Sequence, residues 1–526
     1  MGCWLNVLQF QILQPSQRNR LNEFMKLSAP RILPKNILCL LILLALLGTS
    51  LLAGCQTNPA PTRRTGTTTP TRNQSQDGDQ GEGTASPTKK APLSPTRTPA
   101  AKSNLGIDPR ELDGLQLQFW HAWTDDSAQA IDELVKDFNA SNPWGIVVGA
   151  SSLGNYDDLS GQTAAAIEQG TLPDLVSAYG YQAARWGKDG EVLGNTLVDL
   201  NTYIQDPEYG LDSEEQADFY PEFWEQDLVN DTRRGLPALR TGQVLYYNLS
   251  WAEELGFDSP PTTPEEFKEQ ACAAAKVKQS DDDPDNDLTG GWIISSEYPA
   301  VLGWLYAFGS PVVKPGGQGY QLGTSQVENA FRYLRLLYEE RCAWMGEDIS
   351  VEDEFAQRNG LFATGSLGDI PYQQAAFGRA GNRDRWTVIP FPSAYGQPAI
   401  SVYGPSYILL KSTPERQLAA WLFARWMASP INQARLAEAT SSLPLRRSTL
   451  DYLVNYRPRL SSQWRAGLDL LPYAHAEPAD PSWYTVRWAV SDAATQLFKW
   501  YFTMKQLPAT VRLLDRTAAE LYRSSP

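Results

Sequence analysis

From about residue 112 the apolar positions change period repeatedly, and each change marks an element. Residues 115–123 (LQLQFWHAW) alternate and predict a strand. In the next segment, SAQAIDELVKDFNAS, Ile131, Leu134, Val135 and Phe138 share one face at helical spacing. IVVGASS predicts a second strand, DDLSGQTAAAIEQG a helix ended by Gly170, and LPDLVSAYG a third strand. Strand–helix alternation of this kind implies parallel strands with helices packed on their faces. Further on, QVLYYNLS, WTVIPF and SYILLK predict strands. TPEEFKEQACAAAKVK predicts a helix capped by Thr263, followed by helices in TSQVENAFRYLRLLYEER and ERQLAAWLFARWMAS. The last hundred residues are mostly helical in pattern, and no internal repeat is visible. About 420 residues of α/β pattern exceed what one core supports, so two lobes are expected.

The N-terminal region has a different grammar. Residues 36–54 carry no charge, and Arg31 and Lys35 precede them. A basic segment, a greasy segment and small residues before a break describe an export signal. The run is also nearly long enough to be an uncleaved membrane anchor. Its end, Leu52-Ala53-Gly54-Cys55, resembles the bacterial lipobox, which implies cleavage before Cys55 and attachment of lipid to it. Met25-Lys26 would begin a signal of ordinary length. Residues 1–54 are therefore read as signal, and residues 55–108 as lipidated cysteine and linker. The segment 56–104 has almost no bulky apolar side chain and cannot offset chain entropy by burial. A flexible tether of that length spans roughly 40 Å root-mean-square.

Charge sharpens the picture of the remainder. Residues 105–526 hold 56 acids against 33 bases, a net near −23, compared with −15 for the whole chain. Such a surface argues against nucleic acid, whose affinity comes from neutralising phosphates. With two histidines in the chain, His121 and His475, a metal site built on histidine is nearly excluded by count. No HExxH, GxSxG or phosphate-cradling glycine loop occurs. Sixteen tryptophans follow residue 105, more than a core requires, and aromatic faces in a ligand cleft are one use for them. Cys272 and Cys342 are the two cysteines of the folded part. An oxidising compartment favours a bridge between them over two separate buried thiols.

In family order, the segments FWHAWTDDSAQAIDELVKDFNAS, Gly170–Val176 (GTLPDLV), GQVLYYNLSWAEELGFDSPPTTPEEF, GWIISSEYPAVLGWLYAFG, FATGSLGDIPYQQ, WTVIPFP, VYGPSYILLK and AWLFARWMASPINQARLAEATSSLPLRR resemble the extracellular solute-binding proteins of carbohydrate-type ABC importers. That group includes maltose- and glycerol-3-phosphate-binding proteins. The resemblance covers about residues 112–526 and implies an α/β, two-lobed periplasmic-binding-protein-like fold of type II, with the ligand in the cleft between lobes. The solute-binding domain is expected over 109–526. Lobe 1 takes about 112–240 and 400–440, and lobe 2 about 244–395 and 441–526. Ligands at open parallel sheets sit beyond the carboxyl ends of strands, which selects the loops His121–Asp125, Tyr179–Tyr181, Tyr247–Asn248, Gly365–Asp369 and Tyr403–Ser406.

The resemblance makes Trp123, Asp125, Tyr179, Tyr247, Trp304, Ser366, Asp369, Tyr403, Gly404 and Arg487 candidate ligand residues. Against this, Trp123 and Trp304 also read as core tryptophans, Asp125 as a helix cap, and Asp174 as a structural turn residue. Gly154-Asn155-Tyr156, Ser366 and Gly404 match the glycerophosphate-type members, but Gly180 and Ser442 stand where an acid and a tyrosine are expected. A phosphate ligand also wants an arginine fork, from Arg487 or Arg240, with Arg446 reading as structural. A neutral sugar or oligosaccharide is thus the leading expectation and glycerol phosphate the alternative. Asp281, Asp283, Asp285 and Asp287 have calcium-like spacing, but Asn286 and Trp292 occupy the positions of the turn glycine and bidentate acid. An acidic solvated loop is the other reading.

The expectation is a monomeric, lipid-anchored receptor on the outer face of the cell membrane. It uses no cofactor, performs no chemistry and delivers sugar to permease subunits. A secreted glycoside hydrolase needs only two carboxylates, and a sensor passing its state to a membrane receptor is a third reading.

Overall fold

In the computed structural model the described residues are 102–189, 196–229, 231–346, 349–457 and 460–525. The signal segment, Cys55 and the linker lie outside them up to residue 101. Among the described residues no helix is long and apolar enough to cross a membrane.

The first lobe begins with β1 (Gln116–His121), α1 (Asp125–Ser141), β2 (Val147–Ser152), α2 (Tyr156–Gln169), β3 (Leu175–Ala178) and α3 (Gly180–Asp189). Helix α1 buries Ile131, Leu134, Val135 and Phe138, the face read from the sequence. Asn155 caps α2 by accepting from the N–H groups of Asp157 and Asp158, and Gly170 ends it in the left-handed conformation. A short hairpin of β4 (Leu228–Val229) and β5 (Thr232–Arg233) precedes β6 (Leu236–Pro237). β1 runs parallel to both β2 and β3, as the strand–helix alternation requires.

The second lobe is built from β7 (Thr241–Asn248), α4 (Pro264–Ser280), β8 (Gly290–Ile293), α5 (Tyr298–Ala307), β9 (Ala343–Trp344), β10 (Gly360–Ser366), β11 (Trp386–Ile389) and β12 (Ile400–Tyr403). The chain then returns through β13 (Ser406–Leu409), α6 (Pro414–Met427), α7 (Pro430–Thr440) and α8 (Arg447–Tyr456). It finishes with β14 (Ala474–Ala476), α9 (Trp483–Leu497) and α10 (Leu507–Ser524). The first sheet has the order β2-β1-β3-β13-β6, and the second β14-β12-β7-β10-β8-β9, with β11 on the far half of β7. β13 is antiparallel to β3 and to β6, so the first sheet is mixed at this edge.

The return was expected near residue 400. β12 instead pairs with β7 and β14, and the first sheet is re-entered at Ser406. Two short crossings therefore join the sheets: Ala238–Arg240 between β6 and β7, and Gly404–Pro405 between β12 and β13. Leu443 bridges Arg240 beside them, and α8 packs on α7, which itself packs on α1. One hydrophobic cluster runs from Phe119 on the first sheet and Phe423 on α6 through Leu367 and Leu443 to Tyr246 on the second sheet. Another, around Trp292, Trp304 and Trp483, fills the opposite side of the second lobe. Cys272 on α4 is disulfide-bonded to Cys342, next to β9.

Candidate functional site

The loop after β3 is positioned by its own side chains. Gln182 accepts from the Tyr179 N–H at 3.0 Å and donates to the Tyr156 carbonyl at 3.0 Å, which fastens the end of β3 to the start of α2. Tyr156 meets Tyr179 edge-on with centroids 4.8 Å apart, and Tyr179 stacks on Tyr181 at 5.3 Å and 16°. These rings come from the first lobe. Facing them from α9 is Arg487, whose Nη1 donates to the Tyr181 hydroxyl. Its guanidinium carbon lies 4.7 Å from the Tyr181 ring centroid and 4.9 Å from that of Trp488, and Nη2 is 3.8 Å from Asp157 Oδ1. Tyr298 of α5 and Tyr484 of α9 also lie within cation–π range of it.

Glu477, directly after β14, stands among these rings with 7% exposure. Its N–H donates to the Val402 carbonyl at 3.1 Å, and Oε2 accepts from Trp483 Nε1 at 3.1 Å. Burial pushes its carboxyl up to about 7, although Trp483, Arg487 and Arg240 pull the other way. Burial also holds the Tyr179, Tyr181, Tyr298 and Tyr403 phenols above their ordinary range. They stay protonated and can donate as well as accept.

Beneath the rings, the crossings are clamped by Arg240, 1% exposed. Nη1 donates to the carbonyls of Leu239, Gly404 and Pro405, and Nη2 to Asp227 and Ser406. The expectation that Arg240 could fork a phosphate is therefore corrected, because both terminal nitrogens are already engaged. Gly404 is required by close approach, since a Cβ there would stand 2.2 Å from the Leu239 carbonyl oxygen. A small pocket opens above this floor, walled by Gly180, Tyr181, Gln226, Asp227, Arg240, Gly404 and Glu477–Ala479.

Of the sequence-predicted residues, Tyr179, Tyr403, Gly404 and Arg487 come together here. Tyr403 donates to Gln243 Oε1 at 2.9 Å, and Asp369 is among the charges that hold its phenol up. Asp369 also accepts the Ser366 N–H at 2.8 Å, and the Ser366 carbonyl receives the Tyr246 hydroxyl, so that pair shapes the turn after β10.

Two other expectations, Trp304 and Tyr247, need correction, while Trp123 and Asp125 are not brought into the ring cluster. Trp304 is fully buried, ringed by Phe267, Trp292, Tyr333 and Phe391 in the second-lobe core. Tyr247 is likewise internal, stacked on Phe362 with its hydroxyl on Gln270. Trp123 is 7% exposed and packs against Phe119 and His121. Asp125 is exposed in the first turn of α1, where Thr124 is the N-cap residue. Asp174, as expected, is structural: Arg416 grips it through Nε and Nη2.

The carboxylates with calcium-like spacing do not converge on a common point among the described residues. Asp281 and Asp283 accept backbone N–H groups of Asp283 and Asp285, and the Asn286 amide bonds both carboxylates. Among the described residues the one cluster with converging ligand atoms is Cys272, Glu340 and Cys342, whose two sulfurs are bonded to each other.

Sequence reasoning did not single out Glu477, Tyr298 or Asp227. No periodicity marks an acid between Ala476 and Pro478. A buried Asp227 is legible only once the hairpin before β6 folds against Arg240.

The chain matches the family model of bacterial extracellular solute-binding proteins over residues 133–456. No curated protein matches it in sequence. Among solved structures it is similar to the cyclic α-maltosyl-1,6-maltose-binding protein of Arthrobacter globiformis, at 17% identity and TM-score 0.65 over 78% of this chain and 99% of that one. It is also similar to the sugar-binding protein MalE of Xanthomonas citri, at 21% and 0.63 over 78% and 97%. A third is UgpB of Mycobacterium tuberculosis, solved with glycerophosphocholine, at 19% and 0.61 over 78% and 98%. At these identities the likeness is one of fold, a two-lobed α/β architecture. With more than half its length matched by the family model, the chain belongs to the bacterial extracellular solute-binding proteins.

Proposed function

We propose that this protein captures a neutral sugar or oligosaccharide in the cleft between its lobes and delivers it to an ABC importer permease, without chemical change. The observation that carries the reading is the tyrosine cluster, Tyr156, Tyr179 and Tyr181 from one lobe with Tyr298 and Tyr484 from the other, around Glu477. Ring faces stack on the apolar faces of pyranoses, while phenols and carboxylates answer their hydroxyls. Two of the similar structures are sugar-binding proteins by name, which supports the same substrate class.

The pocket is smaller than the several hundred Å³ a bound oligosaccharide fills, so capture requires the lobes to part. Export, cleavage before Cys55 and lipidation there keep the receptor beside its membrane partner, with a monomer as the working unit and a tether that ends before Ser103, which with Asn104 is already hydrogen-bonded to Asp206 of the folded part. A glycerophosphodiester is the second reading. It is favoured by Arg487 among the rings and by the likeness to UgpB. Glu477 beside Arg487 weighs against it.

Thermal unfolding with a panel of oligosaccharides and glycerophosphodiesters tests the proposal, because a ligand of the native state raises Tm. A shift with neutral sugars is expected. A shift only with phosphodiesters, peptides or amino acids would overturn the substrate class. Release of chromophore from nitrophenyl glycosides would overturn the absence of chemistry.

A further inference from the structure

Glu477 is a carboxylate in a place that ordinarily disfavours one. Its side chain is 7% exposed and lines the pocket beside Tyr181 and Gly404. The Trp483 indole occupies Oε2, and among the described residues no hydrogen bond reaches Oε1. Neither neighbouring guanidinium forms a salt bridge with it. Arg240 is bonded to Asp227 and three carbonyls, and Arg487 is turned to Tyr181 and Asp157. Oε1 is not sealed off, so it faces the pocket's solvent, and a ligand that displaces this water must supply a donor in its place.

We propose that Glu477 is the ligand-anchoring carboxylate of the pocket, accepting hydroxyl hydrogen bonds from an uncharged sugar and excluding phosphate-bearing ligands from the neighbourhood of Arg487. The assignment rests on the carbohydrate reading above. Hydroxyl donors stabilise the ionised carboxylate, whereas a phosphate drawn to Arg487 would meet a like charge within the same low-dielectric site. Direct readout of a hydroxyl by a site built for it also discriminates strongly against ligands that lack it.

The surroundings make this testable through protons. Burial pushes Glu477 up to about 7 in the unliganded pocket. Arg240 and Arg487 remain charged, and burial keeps the Tyr179, Tyr181, Tyr298, Tyr306 and Tyr403 phenols protonated. His475, two residues upstream, is lowered by burial and is neutral at pH 7. Asp227 is held in its ion pair with Arg240. Glu477 is then the group of the pocket that changes charge near neutrality, and a ligand that donates to it releases a proton.

The experiment is calorimetry on the full-length protein in detergent at pH 7, in buffers of different ionisation enthalpy, with maltotriose, a set of other neutral oligosaccharides, and glycerophosphocholine. For wild type, sugar binding with net proton release is expected. E477Q should weaken sugar binding at least tenfold, abolish the proton release and strengthen glycerophosphocholine. E477D, which keeps the charge but shortens its reach, should fall between. Sugar binding by wild type without proton release, or by E477Q at wild-type affinity, overturns the assignment and leaves the carbohydrate reading standing. Wild type that binds glycerophosphocholine and no sugar overturns the carbohydrate reading and this assignment with it.

Discussion

Arg487 on α9 donates a hydrogen bond to the hydroxyl of Tyr181 on α3, so one side chain of the second lobe is fastened to one of the first. The same guanidinium approaches Asp157 at 3.8 Å at the N-terminus of α2. Both partners belong to the first lobe, whereas α9 packs on α5 and α10 of the second. The contact thus links the two lobes across the proposed ligand cleft.

Arg487→Ala should remove this bridge and move the unliganded protein toward the open arrangement. A cation–π contact and a charge-assisted hydrogen bond together contribute about 2 kcal/mol, which is roughly a thirtyfold change in the open-to-closed ratio. Small-angle scattering should show a larger radius of gyration for the variant. An unchanged radius would mean that closure is held elsewhere.

The clamp under the site should behave differently. Asp227 and Arg240 are each 1% exposed and bonded at 3.1 Å. Asp227→Asn leaves a buried guanidinium without its counter-charge, which costs about 3–5 kcal/mol. Urea unfolding monitored by circular dichroism should report a loss of that size. A loss below about 1 kcal/mol would show that the carbonyls of Leu239, Gly404 and Pro405 suffice.

Two buried groups should give stability opposite pH slopes. Glu477 rises on folding from 4.5 to about 7, so the native state holds the extra proton and stability falls as pH rises through that window. His121 drops from 6.5 to about 4 through burial, so the unfolded state holds the extra proton and stability rises with pH between those values. Each effect is on the order of 3 kcal/mol, and they offset between about 4.5 and 6.5. E477Q should expose the rising slope, and His121→Gln the falling one, in Tm measured from pH 4 to 7.5.

Breaking the Cys272–Cys342 bridge, 70 residues apart in sequence, should destabilise the second lobe. In the chain-entropy model a loop of that length contributes about 4 kcal/mol. Cys272→Ser/Cys342→Ser should therefore lower the urea midpoint. Dithiothreitol should lower wild type to the same value and leave the double variant unmoved.

The helices and strands of the first lobe were legible because their signals are local. Ile131, Leu134, Val135 and Phe138 lie within one amphipathic stretch, and Asn155 and Gly170 bracket α2 through bonds to their own neighbours. The candidate site was legible only in part. Tyr179 and Tyr403 sit at strand ends, where the rule for open sheets points, and Arg487 entered through family resemblance. Trp304 and Tyr247 lie in segments that look equally suited to cleft or core. Sidedness decided them, because α5 and β7 turn those rings inward toward Phe267 and Phe362.

What the sequence by itself determined is the acidic composition, the alternation of strands and helices, and the expectation of a two-lobed α/β scaffold. These follow from composition and from periods of two and 3.6 residues, which any short window reveals. The tertiary structure decided where the chain re-enters the first sheet, which aromatics face the cleft, and that Glu477 stands buried beside Arg487. Those outcomes depend on contacts between residues far apart in sequence: Glu477 with Val402, Arg487 with Tyr181, Arg240 with Asp227 and Gly404. A carboxylate carries no mark of its own burial. Only the packing of β14, α9 and the two crossings around it strips its water and makes it part of the site.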